Sequence, residues 1–501
     1  MPESPPTPTL AGNREVLLLL VVGSLGGVVS ALAVTMAGSL GLAVLIVCIG
    51  LTIAVGLALV RPAALLLTFV VLLPFHFPAM LLMFNVGIGH DSIRAFSVWK
   101  EVAALGLLAV LLVRQVGSGK LPRTRVLDGI ILAFFLLNFL YLIFPVMSPR
   151  EVALAARAQG FRDNTFFVIL YFIGRLAPLA VSEVRLVAAT AIGVGAFGVA
   201  VGLVERVLLP IQIFFDPLHL DDFMRDYVNL HFFTGIPFNF WTSTGTVRRS
   251  VSFYLSSQHF ATASVLLFPL VLVLRRPLRP FPAALRMPLL ALFAVGLALP
   301  LTRSVMLACF LQIVLIGWAT RRPHYVLSGV LSVALMVTAA SALFDVSGYV
   351  RSVVSTPEGS LLSHVSSWRD ATGIVQAYPF GVGFGIFDSV AERAATGGAG
   401  VLAGEGEYAF TAVALGVPGL LLFLALQGGT AWMLFHTWRG GDSASVRQLA
   451  LFVLAVFLGY VIVGMFTQVR HIPAVLFPLW WLVGAVARGE LEGDRPEPSS
   501  A

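Results

Sequence analysis

Apolar runs of some 18 to 25 residues follow one another along almost the whole chain, and nothing else constrains its fold so strongly. A run of about 20 apolar residues matches the thickness of a bilayer's hydrocarbon core when coiled as a helix. Many such runs leave a polytopic α-helical membrane protein as the fold class. A transmembrane β-barrel needs short segments alternating at period 2, and the sequence has none. Composition agrees: 58% of the 501 residues are hydrophobic and only 11% are charged, against about 25% charged in an ordinary soluble chain. Mean hydropathy is +0.93.

The runs predict about fourteen helices, at 15–36, 39–60, 63–83, 97–113, 126–146, 165–182, 186–208, 258–274, 287–301, 304–320, 325–344, 409–437, 448–467 and 473–488. Residues 1–14 then form a Pro-rich polar tail without a cleavable signal pattern, 15–488 the membrane domain, and 489–501 a second tail. The connections place Arg61, Arg114, Lys120, Arg123, Arg125, Arg185, Arg275, Arg276, Arg279, Arg286, Arg321, Arg322, Arg439, Arg447 and Arg488 on one side. The positive-inside rule makes that side cytoplasmic, with both termini there. The expected location is a bacterial inner membrane. The opposite side carries the long connections, about 209–257 and 345–408, the second forming a large external loop between helices 11 and 12.

The net charge of +7 reports orientation. No basic-aromatic stripe marks a soluble face, which argues against nucleic acid as a partner. Cys48 and Cys309 fall inside apolar helices and read as core packing residues. Arg175, Arg206, Arg303 and Arg470 read as external arginines near membrane level. For the first two, snorkelling or a local partner such as Glu205 beside Arg206 is a sufficient account. Glu101, Glu205 and Lys100 read as interfacial residues at helix ends.

Water-facing residues are where the chemistry of such a protein belongs, and three external stretches qualify. Arg248 and Arg249 precede a helix mouth rich in polar groups, with Ser252, Ser256, Ser257, Gln258 and His259. Such arginines either grip phosphate oxygens with their forked donors or anchor the helix at the interface. Arg303 lies in the tight turn Leu299–Ser304, at the level of a lipid-linked phosphate, where it either binds that group or snorkels to water. In the third stretch, Arg369 leads to Pro379-Phe380-Gly381-Val382-Gly383-Phe384-Gly385. This glycine run is not a dinucleotide fingerprint, because no strand–helix unit surrounds it. It reads as a turn that admits close backbone approach. Glu405 and Glu407 then open the helix containing Gly416 and Gly419. A carboxylate there either complements the helix dipole or serves as a general base on a sugar hydroxyl.

Taken in order, these marks resemble the O-antigen ligase and polymerase superfamily, which includes Wzy-type polysaccharide polymerases. The likeness runs from about Arg248 to Gly419. It comprises an arginine before a hydroxyl-rich helix start, the turn Leu301-Thr302-Arg303-Ser304, Arg369 ahead of the Gly381–Gly385 run, and Glu405 eleven residues before Gly416, with Gly419 following. The resemblance implies a metal-independent, cofactor-free glycosyltransferase with a GT-C-like membrane fold. Such an enzyme moves a glycan from an undecaprenyl-diphosphate carrier to a hydroxyl of an acceptor glycan, and a chain-length regulator is a further expected partner. It implies diphosphate binding by Arg248 or Arg249, Arg303 and Arg369, and base catalysis by Glu405, with Glu407 as its rival. Three departures stand out. Ligases usually carry His in the Glu405 slot, often followed by Asn, Ser or Gln, whereas here Gly406 follows. Glu405 with Tyr408 three residues on is closer to polymerases. Arg303 precedes its serine rather than following it. An O-antigen ligase or protein O-oligosaccharyltransferase is the alternative within the family, and a lipid-linked oligosaccharide flippase or other transporter the alternative outside it. A transporter would show internal repeats and broken helices with ionisable residues near the midplane.

Overall fold

The computed structural model describes residues 61–119, 124–144, 151–210, 217–224, 239–242, 245–275, 277–321, 359–385 and 406–493, with isolated positions between them. The expected helices 15–36 and 39–60, nearly all of 325–344, Cys48 and Glu405 lie outside the described residues.

The described chain is helical apart from one small hairpin. Its main elements are α1 (Pro62–Leu72), α2 (His76–Asn85), α3 (His90–Ser97), α4 (Trp99–Ser118), α5 (Val126–Ile143), α6 (Leu154–Leu176) and α7 (Val181–Leu208). After α7 come strands β1 (Asn239–Thr242) and β2 (Gly245–Arg248), paired antiparallel with Asn239 opposite Arg248. Then follow α8 (Ser257–Val273), α9 (Arg286–Ala298), α10 (Arg303–Ala319), α11 (Gly359–Ala377), α12 (Glu407–Gly440), α13 (Ala444–Gly464) and α14 (Pro473–Arg488). Six stretches among the described residues are long and apolar enough to cross a membrane: Pro62–Asn85, α4, α5, α7, α12 and α13. Shorter apolar helices include α8, α10 and α14. Bulky apolar side chains such as Val113, Val116, Leu136 and Leu421 point outward, as on helices whose solvent is lipid. The protein is a helical, multi-pass membrane protein.

Most expected spans match observed helices to within a few residues. The largest shift is at the start of α6, which begins at Leu154, eleven residues before the expected 165; a smaller one falls around Pro178. A proline disfavours helical geometry in the residue before it, and Ala177 is extended (φ −80°, ψ 119°). So α6 ends at Leu176 and α7 starts at Val181, whereas the expected spans were 165–182 and 186–208. The long connection expected over 345–408 is not all loop either, since it contains α11.

Close helix packing is set by small residues and by proline. Where α6 crosses α14, a methyl group on Gly174 would lie 1.9 Å from Trp481 O, and one on Gly484 2.1 Å from Tyr171 O. Only glycine permits that approach, the usual device of membrane helices that gain little from burying apolar surface. In α8, Pro269 has no N–H for the carbonyl of Val265. Gln312 of α10 supplies the missing donor, its Nε2 reaching Val265 O at 3.0 Å and Ala455 O of α13 at 2.9 Å. One buried amide thereby ties three helices.

Four charged residues do not sit where the sequence reading put them. Arg175 faces Asp128 in the first turn of α5, Nε to Oδ1 at 3.3 Å, and lines one basin with Arg125 and Arg488. It therefore belongs to the end expected to be cytoplasmic, not the outer one. Lys100 and Glu205 are buried, at 7% and 1% exposure, rather than interfacial. Glu101, 14% exposed in its side chain, is also largely buried, 3.3 Å from Lys100 Nζ. Lys100 also lies 3.3 Å from His76 Nε2. Cys309 is buried and unbridged, as a packing residue should be.

Candidate functional site

Arg248 lies beside a buried acid that the sequence reading had assigned to Arg206. Glu205, near the end of α7, accepts hydrogen bonds from the main-chain N–H of Val251 (3.0 Å) and Ser252 (2.7 Å). Ser252 Oγ donates to Gly198 O at 2.7 Å, and Ser252 itself takes a left-handed φ of 53°. These bonds fold the chain after β2 into a tight cradle against α7. Arg248 donates to Leu209 O (2.6 Å) and Glu205 O (3.1 Å), with its guanidinium 3.9 Å from the Glu205 carboxylate.

Arg249 turns the other way, donating from Nε to Pro300 O (2.7 Å) and from Nη2 to Thr302 Oγ1 (2.8 Å). Thr302 is the N-cap of α10, and Arg303 is that helix's first residue. The structure thus brings Arg248, Arg249 and the Arg303 turn to one place, although more than fifty residues separate them in sequence. All three arginines are partly exposed. Ser256 caps α8, accepting from His259 N at 3.4 Å, and Gln258 Oε1 accepts from Thr467 Oγ1 at 3.4 Å. Ser257 is buried, and His259 rests against Phe77, ring centroids 5.7 Å apart.

The glycine run is mortised into a broken helix. Pro418 leaves Ala414 O without its intrahelical donor, and α12 kinks at Gly416 (φ 66°, ψ −166°). Gly383 N donates to Ala414 O and Val382 N to Val413 O, both at 2.9 Å, while Val417 N crosses to Pro379 O at 2.8 Å. Tyr141 of α5 adds its hydroxyl to Phe380 O, and to Leu415 O at 3.3 Å. A methyl group on Gly381 would stand 2.4 Å from Gly416 N, and one on Gly416 2.3 Å from Phe380 C. On the other side, Gly385 packs on Val152 and Ala156, and Gly419 sits tightly over Leu415. Gly381 and Gly416 therefore serve backbone approach, whereas Gly385 and Gly419 make room for side chains and Gly383 meets nothing within 4 Å. Arg369, exposed on α11, stands two residues before Ala371, which packs on Ala409 and Val413 of α12. So α11 packs along the start of α12 through Ala371, while Arg369 lies on its exposed side.

Glu407 begins α12 and is buried at 1% exposure. Tyr460 donates to its Oε2 at 2.7 Å, and the main-chain N–H of Arg470 to its Oε1 at 2.6 Å. The Arg470 guanidinium, 3.7 Å from Oε1, donates to Glu407 O (3.2 Å) and Thr411 Oγ1 (3.1 Å). It also bonds Asn164, which in turn reaches Asn138, and it lies 4.6 Å from the centre of the Phe410 ring. With both oxygens engaged and a cation fixed beside it, Glu407 fits an anchor better than a proton acceptor. Gly406 (φ 96°) explains one departure in the sequence: a methyl group there would come within 2.6 Å of Met465 O. Tyr408 turns inward onto Phe423, 5.4 Å between ring centroids.

The connection 465–472 therefore joins the two halves of the site: Arg470 holds Glu407, and Thr467 meets Gln258 beside the arginine cradle. No protein-family model matches the chain, and no curated protein is significantly similar to it. Sequence reasoning missed Glu205 as the organiser of the cradle, and Arg470, Tyr460 and Asn164 as partners of Glu407. Arginine beside a helix start in an otherwise apolar stretch was the available signal for Arg470, since a buried cation requires a partner.

Proposed function

We propose that the protein is a membrane glycosyltransferase that polymerises lipid-diphosphate-linked oligosaccharide repeat units. The support is the meeting of the partly exposed Arg248–Arg249 pair with the turn that opens at Arg303, which Arg249 bridges through Pro300 and Thr302. Donors fixed in advance in this way suit a diphosphate, whose negative charge rises as its bond to sugar breaks. An acceptor hydroxyl attacks the anomeric carbon and forms the new glycosidic bond. The bond from that carbon to the diphosphate oxygen breaks, and the lipid diphosphate leaves with the electron pair. The hydroxyl proton passes to a carboxylate. In this reading the carboxylate is Glu405, one residue before Gly406 in the sequence. Arg369, exposed on the helix that packs along the start of α12, belongs in this reading to the acceptor side. The reading also carries some fourteen spans, a GT-C-like fold, a bacterial inner membrane, cytoplasmic termini and no metal.

The test measures polymer length formed from lipid-linked repeats by Glu405→Gln and Arg249→Lys variants. Lysine cannot reproduce a guanidinium held at both Nε and Nη2. Loss of long polymer by more than tenfold in each, with normal membrane levels, is the expected result. Full-length polymer from both variants overturns the assignment.

A transporter of lipid-linked oligosaccharide is the second reading, favoured by two specific observations. Lys100, His76 and Glu101 cluster inside the bundle, and α12 is broken at Gly416; both features occur in secondary transporters. If that reading holds, Lys100→Met abolishes carrier translocation, while polymerisation of substrate supplied on the outer side never depends on this protein.

A further inference from the structure

Away from that site, the opposite end of the bundle contains a basic basin of about 1240 Å³, between the ends of α4, α6 and α14 and the starts of α1, α5 and α7. Arg61, Arg114, Arg125, Arg175 and Arg488 line it. Glu183 and Glu205 mark the two ends of α7, 22 residues and so about 33 Å apart at 1.5 Å per residue. The basin is thus separate from the arginine cradle.

Its charges are poorly balanced from within. Asp128 faces Arg175, but it also accepts the Tyr171 hydroxyl at 2.6 Å and the Arg125 main-chain N–H at 2.8 Å. Glu183 caps α7 by accepting from Ala180 N at 2.9 Å, and Glu490 and Glu492 are exposed. Arg488 donates to a carbonyl, Leu176 O, at 2.9 Å. Among the described residues no carboxylate lies within 4.0 Å of the guanidinium of Arg61, Arg125 or Arg488. Burial, and after it the neighbouring Arg175 charge, lower the affinity of Arg125 for its proton, with Asp128 acting in the opposite sense.

The positive-inside rule alone spreads arginines over loops; here five converge on one concavity. We propose that this basin binds the phosphate of an anionic membrane lipid, with Arg125 and Arg488 as the principal ligands. Basic pockets between helices at the cytoplasmic membrane surface take such head groups. The surroundings favour a lipid over a soluble anion. Leu111, Leu176, Pro62 and Pro178 give the basin apolar walls, and beside it on α4 the side chains of Val113 and Val116 point outward, 60% and 75% exposed, where acyl chains would run.

The test uses the purified full chain in phosphatidylcholine nanodiscs, with and without a tenth of the lipid as cardiolipin, and native mass spectrometry of what it retains on ejection. The expected result is retained cardiolipin, reduced at least tenfold in Arg125→Gln/Arg488→Gln and unchanged in Arg185→Gln, which removes an exposed charge from the same end outside the basin. Equal loss in the Arg185 control, or undiminished retention in the double variant, overturns the proposal. So does saturable binding of inorganic pyrophosphate, abolished in the double variant, when no cardiolipin is retained: the ligand is then a soluble phosphate. A melting profile of the double variant matching the parent in detergent excludes misfolding as the cause of loss.

Discussion

Gly381 and Gly383 have nearly the same backbone, φ 83° and 85°, yet alanine at the two positions should have very different consequences. An L-residue in the left-handed region costs about 1–2 kcal/mol, and both variants bear that. A methyl group at Gly383 meets nothing within 4 Å, so the cost ends there. At Gly381 it would meet Gly416 N at 2.4 Å, Ala414 O at 2.5 Å and Leu415 C at 2.7 Å. All three are backbone atoms, so the loop must withdraw from the helix by roughly an ångström to reach ordinary contact. Withdrawal breaks the bonds from Val382, Gly383 and Val417 that close the break above Pro418. A buried polar group left without a partner costs about 1–3 kcal/mol, so losing two of these bonds adds about 2–6 kcal/mol. Gly381→Ala should therefore be less stable than Gly383→Ala by at least about 2 kcal/mol. The assay is thermal denaturation of each purified variant in the same mild detergent, read as loss of the monodisperse species. Equal shifts for the two variants would refute the account of the glycine run as a mortise.

Three further outcomes are expected. Arg470→Met leaves the Glu407 carboxylate buried without its cation, at a cost of about 3–5 kcal/mol; adding Glu407→Gln should return part of that, as a double-mutant cycle in the same denaturation assay would measure. Gln312→Leu strips the donor from Val265 O and should cost about 1–3 kcal/mol. Pro269→Ala in that background restores an intrahelical N–H and should recover part of the loss, whereas further destabilisation would contradict the role given to Gln312. Gly484→Ala forces α14 off the backbone of α6 and should abolish recovery of folded protein, while Gly428→Ala, with nothing within 4 Å, should be neutral to within about 0.5 kcal/mol.

Helix placement was legible because it depends on hydrophobicity along the chain, a local property. Pro473–Arg488 matches its expected span to the residue, and the shift at Pro178 followed a proline whose effect on Ala177 is itself local. The early start of α6 at Leu154 was hidden because Arg157, Arg162 and Asp163 break the apolar run there. Partnership between charges was not legible. Glu205 adjoins Arg206 in sequence, but its lone pairs go to the amides of Val251 and Ser252. Glu407 finds its cation in Arg470, in the connection beyond the next helix. Lys100 reads as a helix-end residue until folding places His76 beside it. Such pairings arise only when distant helices meet, and an apolar sequence carries no periodicity to announce them. In the glycine run, Gly381 makes the close backbone approach expected of a turn, but its counterpart, the carbonyl that Pro418 leaves free, became visible only in three dimensions.

The central claim is that this chain joins glycans at the expense of a lipid diphosphate. Its most direct test is purified protein in liposomes given a lipid-linked oligosaccharide repeat unit, with glycan length and free lipid diphosphate followed together. The account predicts one lipid diphosphate released for each new glycosidic bond, abolished by Glu405→Gln. Repeat units that cross the bilayer still attached to their carrier, with no diphosphate released, would contradict it.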